Sequence, residues 1–178
     1  MMRAVAVLMV LLAGVAAAQE HADFSGAWSA AAGGGRGGRG TEPAEAMGSG
    51  WGPDITISQK DGVLTVERVF FSRGDLQPAL KFRYALDGTP TANAVTMGRG
   101  VQERVCTASW EGDTLVITSV ETVPAGPDGE PITSEVRQRL TLRPSGSLVG
   151  EPSLLVETTI AGVLGGPPTS TRTVYAKR

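Results

Sequence analysis

From Asp54 to the end of the chain, apolar and polar residues alternate with a period of two, interrupted every few residues by turn formers. That spacing puts every second side chain on one side of an extended backbone, so it encodes half-buried strands and leaves almost nothing for helix. Ile55 and Ile57 alternate with Thr56 and Ser58, and Lys60-Asp61-Gly62 then turns the chain into Val63 to Phe70. The Asp-Gly pair accepts the positive φ of a tight hairpin. Leu80, Phe82, Tyr84 and Leu86 share one face against Lys81 and Arg83, and Asp87-Gly88 leads to a strand near Asn93 to Met97. Glu103 to Trp110 turns at Glu111-Gly112-Asp113 into Thr114 to Val123. The clearest strand, Ile132 to Arg143, sets Ile132, Val136, Leu140 and Leu142 inward and Glu135, Arg137, Arg139 and Arg143 outward. Leu148 to Ile160 and Thr169 to Lys177 complete the series.

With a strand around Trp28 the count reaches about nine or ten. The expected fold is therefore all-β, an antiparallel up-and-down meander that closes into a barrel, because closure removes the exposed edges that make open sheets aggregate. A β-sandwich of the same strands is the alternative, since periodicity does not say whether the first and last strands pair. Gly 24 and Pro 11 suit many short elements joined by turns.

Arg3, the apolar run Ala4 to Ala13 and the Ala16-Ala17-Ala18 cleavage pattern read as an export signal over residues 1–18. The run is shorter than the roughly 20 residues of a spanning helix, and Val15 stands where a lipoprotein signal would need cysteine. A periplasmic or secreted protein without lipid is expected, with no transmembrane segment in the mature chain. Residues 19–29 hold the N-terminal segment and first strand, 30–53 a flexible Gly/Arg-rich loop, and 54–178 the barrel body; 19–29 and 54–178 form one domain. The loop carries Gly33 to Gly40 with Arg36 and Arg39 and has no periodic apolar residues.

The chain is poor in catalytic groups. His21 is the only histidine and lies near the expected mature terminus, where chains are poorly ordered, so a Ser-His-Asp or Cys-His mechanism and a multi-histidine metal site are not expected. Asp61, Asp87, Asp113 and Asp128 fall in or beside turns, where Asp serves local hydrogen bonding. The single Cys106 cannot form an internal disulfide and reads as a small buried hydrophobe. A formal net charge of -2 argues against nucleic acid. No catalytic residue, metal or cofactor is expected, and a monomer is.

Asp23-Phe24-Ser25-Gly26-Ala27-Trp28 opens the mature chain; Leu64-Thr65-Val66, Leu86-Asp87-Gly88, Trp110 to Ile117 and Val174-Tyr175-Ala176-Lys177 follow. The set resembles the Gly-x-Trp opening of lipocalin-like barrels of the calycin group and the pattern of small exported bacterial proteins of undefined role. That resemblance implies that Trp28 packs across the closed barrel end against a basic residue near the C-terminus, here Arg172 or Lys177. Related intracellular fatty-acid binders end in Arg-x-Tyr; here Arg172 and Tyr175 are one residue further apart, on opposite faces of a regular strand, so that clamp does not transfer. The leading expectation is an exported, non-catalytic barrel that binds a small apolar molecule, lined by Phe82, Tyr84 and Trp110. The alternative is an envelope interaction or structural module with a packed core and no ligand. An outer-membrane barrel fits less well, given the polar end at Arg178 and aromatics at only 5%.

If the leader is cleaved as read, the mature chain begins at Gln19 and is recovered from periplasm or medium. N-terminal sequencing checks this, and Met1 retained in a membrane pellet would contradict it.

Overall fold

The alternating segments do form strands. A computed structural model describes residues 21–30, 49–68, 80–97, 100–123, 132–144, 151–162 and 166–178; the leader at 1–18 and residues 31–48 lie outside these. Among the described residues ten strands follow one another: β1 (Gly26–Ala30), β2 (Asp54–Lys60), β3 (Val63–Arg68), β4 (Leu80–Ala85), β5 (Thr91–Met97), β6 (Gly100–Glu111), β7 (Thr114–Val123), β8 (Ile132–Arg143), β9 (Ser153–Ile160) and β10 (Thr169–Lys177). The turn expected at Asp61-Gly62 has φ of 52° and 74° at its two central residues, matching the twist of the flanking strands. Of the strand expected over Leu148 to Ile160, Ser153–Ile160 is strand and Glu151 and Pro152 are not, while 148–150 lie outside the described residues. Among the described residues no helix is long and apolar enough to cross a membrane.

The strands make one antiparallel sheet in the order β4-β3-β2-β1-β10-β9-β8-β7-β6-β5. Read as a ring, this is plain sequence order with one interruption. The first and last strands pair, Trp28 opposite Lys177 and Ala30 opposite Tyr175, so the pairing that periodicity leaves open is present. The break in the backbone ladder falls instead between β4 and β5, and the meander is a nearly closed barrel.

A side chain bridges that break. The buried amide of Asn93 on β5 accepts from the Arg83 backbone N–H at 2.7 Å and donates through Nδ2 to the Arg83 carbonyl at 2.9 Å. Thr91 Oγ1 donates to the same carbonyl at 2.9 Å. One carboxamide thus reproduces both hydrogen bonds of a ladder rung. Both edges would otherwise present unpaired backbone to other chains, and the outward Lys81 and Arg83 on β4 add charge there.

The turns after β2, β4 and β6 gather at one end of the barrel, the turn end. Near it the inward side chains are apolar, including Leu64, Tyr84, Ala108, Leu115, Leu140 and Leu154. Moving away from that end, four consecutive strands change character at similar depth: Ala108 gives way to Cys106, Ile117 to Ser119, Leu140 to Gln138 and Val156 to Thr158, all buried. Ser119 Oγ donates to Cys106 Sγ at 3.3 Å, and Asn93 Nδ2 lies 3.6 Å from the same sulfur. Among the described residues Thr158 Oγ1 has no hydrogen-bond partner. Cys106 is the buried small residue expected, but its neighbours are polar.

Replacing Asn93 by Leu leaves the Arg83 N–H and C=O without their amide partner and should cost about 1–3 kcal/mol. Denaturant melts measure the loss, and amide exchange at Arg83 should accelerate by more than exchange at Leu115 in the opposite wall.

Candidate functional site

Ten strands enclose a wider lumen than the eight that side chains can fill from the walls alone. Two segments outside the sheet occupy it. At the turn end the N-terminal residues fold across the opening: Phe24 is fully buried, and its carbonyl accepts from Trp28 Nε1 at 2.9 Å. His21 stacks on Trp110 with centroids 4.3 Å apart and planes within 3°, and Phe24 lies 5.7 Å from the same indole. His21 is therefore packed, where a loose terminus was expected. Gln59 ties the segment down, donating to the Ala22 carbonyl at 3.0 Å and accepting from the Phe24 N–H at 3.2 Å.

The second segment enters from the opposite end, and within the stretch read as a flexible loop over 30–53 two of its last residues, Ser49 and Trp51, are buried; 31–48 lie outside the described residues. Ser49 is 4% and Trp51 3% exposed. Gly50 and Gly52 flank the indole with φ of 76° and 90°, backbone that side chains disfavour, and this double turn drives Trp51 inward. Its ring centroid lies 6.5 Å from that of Tyr84 on β4. The carbonyls of the turn are taken in order by side chains from three strands: Ser49 O by Gln138 Nε2 of β8 at 2.7 Å, Gly50 O by Arg68 Nη1 of β3 at 2.8 Å, and Gly52 O by Tyr175 OH of β10 at 2.8 Å. Ser49 Oγ also bonds the Tyr175 hydroxyl. Tyr84 and Gln138 belong to strands four places apart around the ring, so a turn that touches both crosses the lumen.

The side chains expected to line a ligand site divide. Phe82 and Tyr84, 4% and 3% exposed, face the lumen. Trp110 is only half-buried and closes the turn end with His21 and Phe24. The candidates for barrel closure divide as well. Trp28 is 1% exposed, and Lys177 Nζ stands 5.9 Å from its ring centroid, within cation–π range. Gly26 permits this crossing: a Cβ there would lie 3.1 Å from Lys177 Cε, at a φ of 144°. Arg172 points away from the barrel, 69% exposed, and pairs with Glu157 at 2.6 Å, so it is not the partner of Trp28. Tyr175 faces inward from the same strand, opposite to Arg172.

Trp51, Ser49 and Gln138 escape the sequence reading. The first two lie in a stretch without periodicity, where the only signal is an aromatic set between two glycines, and Gln138 is a polar residue at a core position of the best-defined strand.

Burial pushes both the Tyr84 and Tyr175 hydroxyls above the ordinary 10.0. A group whose folded pKa is raised contributes stability that is complete below its unfolded pKa and is lost as pH rises toward the folded value. The contribution of these two hydroxyls should therefore be level up to about pH 10 and fall above it. Tyr84→Phe should flatten that fall in denaturant melts taken across the alkaline range. Trp28→Ala should cost roughly 3–5 kcal/mol, against about 0.5–1 kcal/mol for Lys177→Met, measured by the same method.

The chain has no significant match to any family model, curated protein or solved structure with which it was compared.

Proposed function

We propose that this protein is an exported, non-catalytic, lipocalin-like barrel that holds a small, largely apolar molecule in its lumen. The observation that carries the reading is the way the lumen is filled. A wide ten-stranded ring keeps a polar girdle of Asn93, Ser119, Gln138 and Thr158 behind an apolar floor, and part of its filling is a turn held by side-chain bonds instead of a ladder. Pockets that take small molecules commonly combine such an apolar lining with a few placed polar groups. Phe82 and Tyr84 supply apolar wall, and the unpartnered Thr158 hydroxyl offers a polar contact.

Export rests on the Ala16-Ala17-Ala18 leader. An aqueous compartment is favoured over a membrane one by the outer wall, which carries ion pairs Lys81–Glu67, Glu111–Arg137, Glu111–Arg139 and Arg172–Glu157, whereas a lipid-facing barrel needs an apolar band there.

The rival reading, an interaction module with a packed core, draws on Trp51, which already occupies lumen space, and on Val105 and Val120. These two are cross-strand partners on the outer wall, 48% and 44% exposed. Titration of delipidated protein with the neutral apolar fluorophore Nile red separates the two readings. A carrier shows saturable one-to-one binding that weakens with Tyr84→Ala, and at about 100 times Kd the probe stabilises the fold by about 2.7 kcal/mol. Absence of saturable binding by a folded, monomeric sample removes the carrier reading.

A further inference from the structure

One row of the inner wall is polar across three adjacent strands. Gln138 on β8 stands opposite Thr158 on β9, and Thr158 stands opposite Thr171 on β10, so neighbouring Cβ atoms of the row lie about 5 Å apart. Gln138 and Thr158 are each 5% exposed, and Thr171 is half-buried. Gln138 donates to the Ser49 carbonyl and Thr171 has a contact of its own, whereas Thr158 Oγ1 has no hydrogen bond among the described residues. A buried hydroxyl without a partner forfeits the bonds that water gave it in the unfolded chain. The next inward pair toward the end opposite the turns, Val136 and Ile160, is apolar and half-buried. The wall that leads to the polar row is thus apolar and partly reached by solvent.

We infer that the Gln138–Thr158–Thr171 row is the polar subsite of the lumen, and that its ligand is an aliphatic molecule ending in one neutral hydrogen-bonding oxygen, a hydroxyl or a carbonyl. This rests on the reading of the lumen as a small-molecule site and names the class of molecule. Thr158 can donate and accept, and the Gln138 carboxamide has a second N–H and an oxygen beyond its bond to Ser49. A neutral oxygen therefore meets a complementary group on either side chain. The row holds no ionisable group, so a carboxylate or ammonium desolvated against it has no counter-charge there. The aliphatic body of the ligand lies along Val136 and Ile160. The Ser49–Gly52 turn keeps its place and its bonds throughout.

Octan-1-ol, 1-chlorooctane and octanoate share one chain length and differ at its end, and titration calorimetry on delipidated protein gives the affinity of each. At about pH 8, where octanoate is ionised, it should bind the wild type about ten-fold more weakly than octanol. The ratio of octanol to chlorooctane affinity should fall about five-fold in Thr158→Val. Valine has nearly the shape of threonine, and the lost hydroxyl has no partner in the fold, so the ligand-free Tm of the variant should equal or exceed that of the wild type. An unchanged ratio, octanoate as tight as octanol, or a lower Tm in Thr158→Val overturns the subsite. If Nile red still binds, only this inference falls; if neither Nile red nor octanol binds, the small-molecule reading falls with it.

Discussion

The width of the barrel governs the rest of the molecule. Residues with a period of two can cover the inside of a ring, but a ten-stranded ring leaves its centre beyond the reach of most wall side chains. Empty apolar volume is costly, because lining atoms lose their dispersion partners. The chain meets that constraint twice with segments from outside the sheet, Phe24 and its neighbours at the turn end and Trp51 from the other. The largest fully buried side chains include Trp28, Tyr175 and Phe24, and each of these three either plugs an end of the lumen or anchors a segment that does.

Closure follows a similar economy. The terminal strands β1 and β10 pair through backbone, and Trp28 with Lys177 packs over their junction. The weak point lies inside the chain, where β4 and β5 lack a ladder and Asn93 supplies one rung with its side chain. That choice places a buried amide, one of the few polar groups in the core, where it satisfies backbone that would otherwise be orphaned. It also keeps the seam local, with Asn93 and Thr91 of β5 both bonded to Arg83 of β4 near the turn end.

The strands were legible because alternation is a property of local sequence and needs no knowledge of partners. Ile55 to Lys60, Leu80 to Ala85 and Glu135 to Arg143 could be assigned to faces directly, and the Asp-Gly turns fixed where they reversed. The contents of the lumen were not legible by that means. Trp51 carries no periodic signal, and its burial depends on tertiary donors 17, 87 and 124 positions away, at Arg68, Gln138 and Tyr175. His21 gives no hint of Trp110. Asn93 reads as one polar residue in a strand until the missing rung beside it is known. Local sequence specifies which way a side chain points, whereas what it meets across a lumen depends on closure.

The polar girdle bears on why such a lumen is not simply filled with leucine. Apolar substitution at Ser119, Gln138 and Thr158 would remove buried polar groups, one of them unpartnered, and replacing a buried polar group by a well-fitting apolar one is often neutral or stabilising. Stability therefore does not favour the unpartnered Thr158, whereas removing Gln138 would leave the buried Ser49 carbonyl unpaired. Gln138 holds the Ser49 carbonyl and Ser119 faces the Cys106 thiol, so two of the three have work within the fold, whereas Thr158 has none that the fold requires. A hydroxyl kept at that depth, on the wall shared with Gln138 and within a lumen filled in part by the Ser49–Gly52 turn, costs stability unless something other than the protein hydrogen-bonds to it.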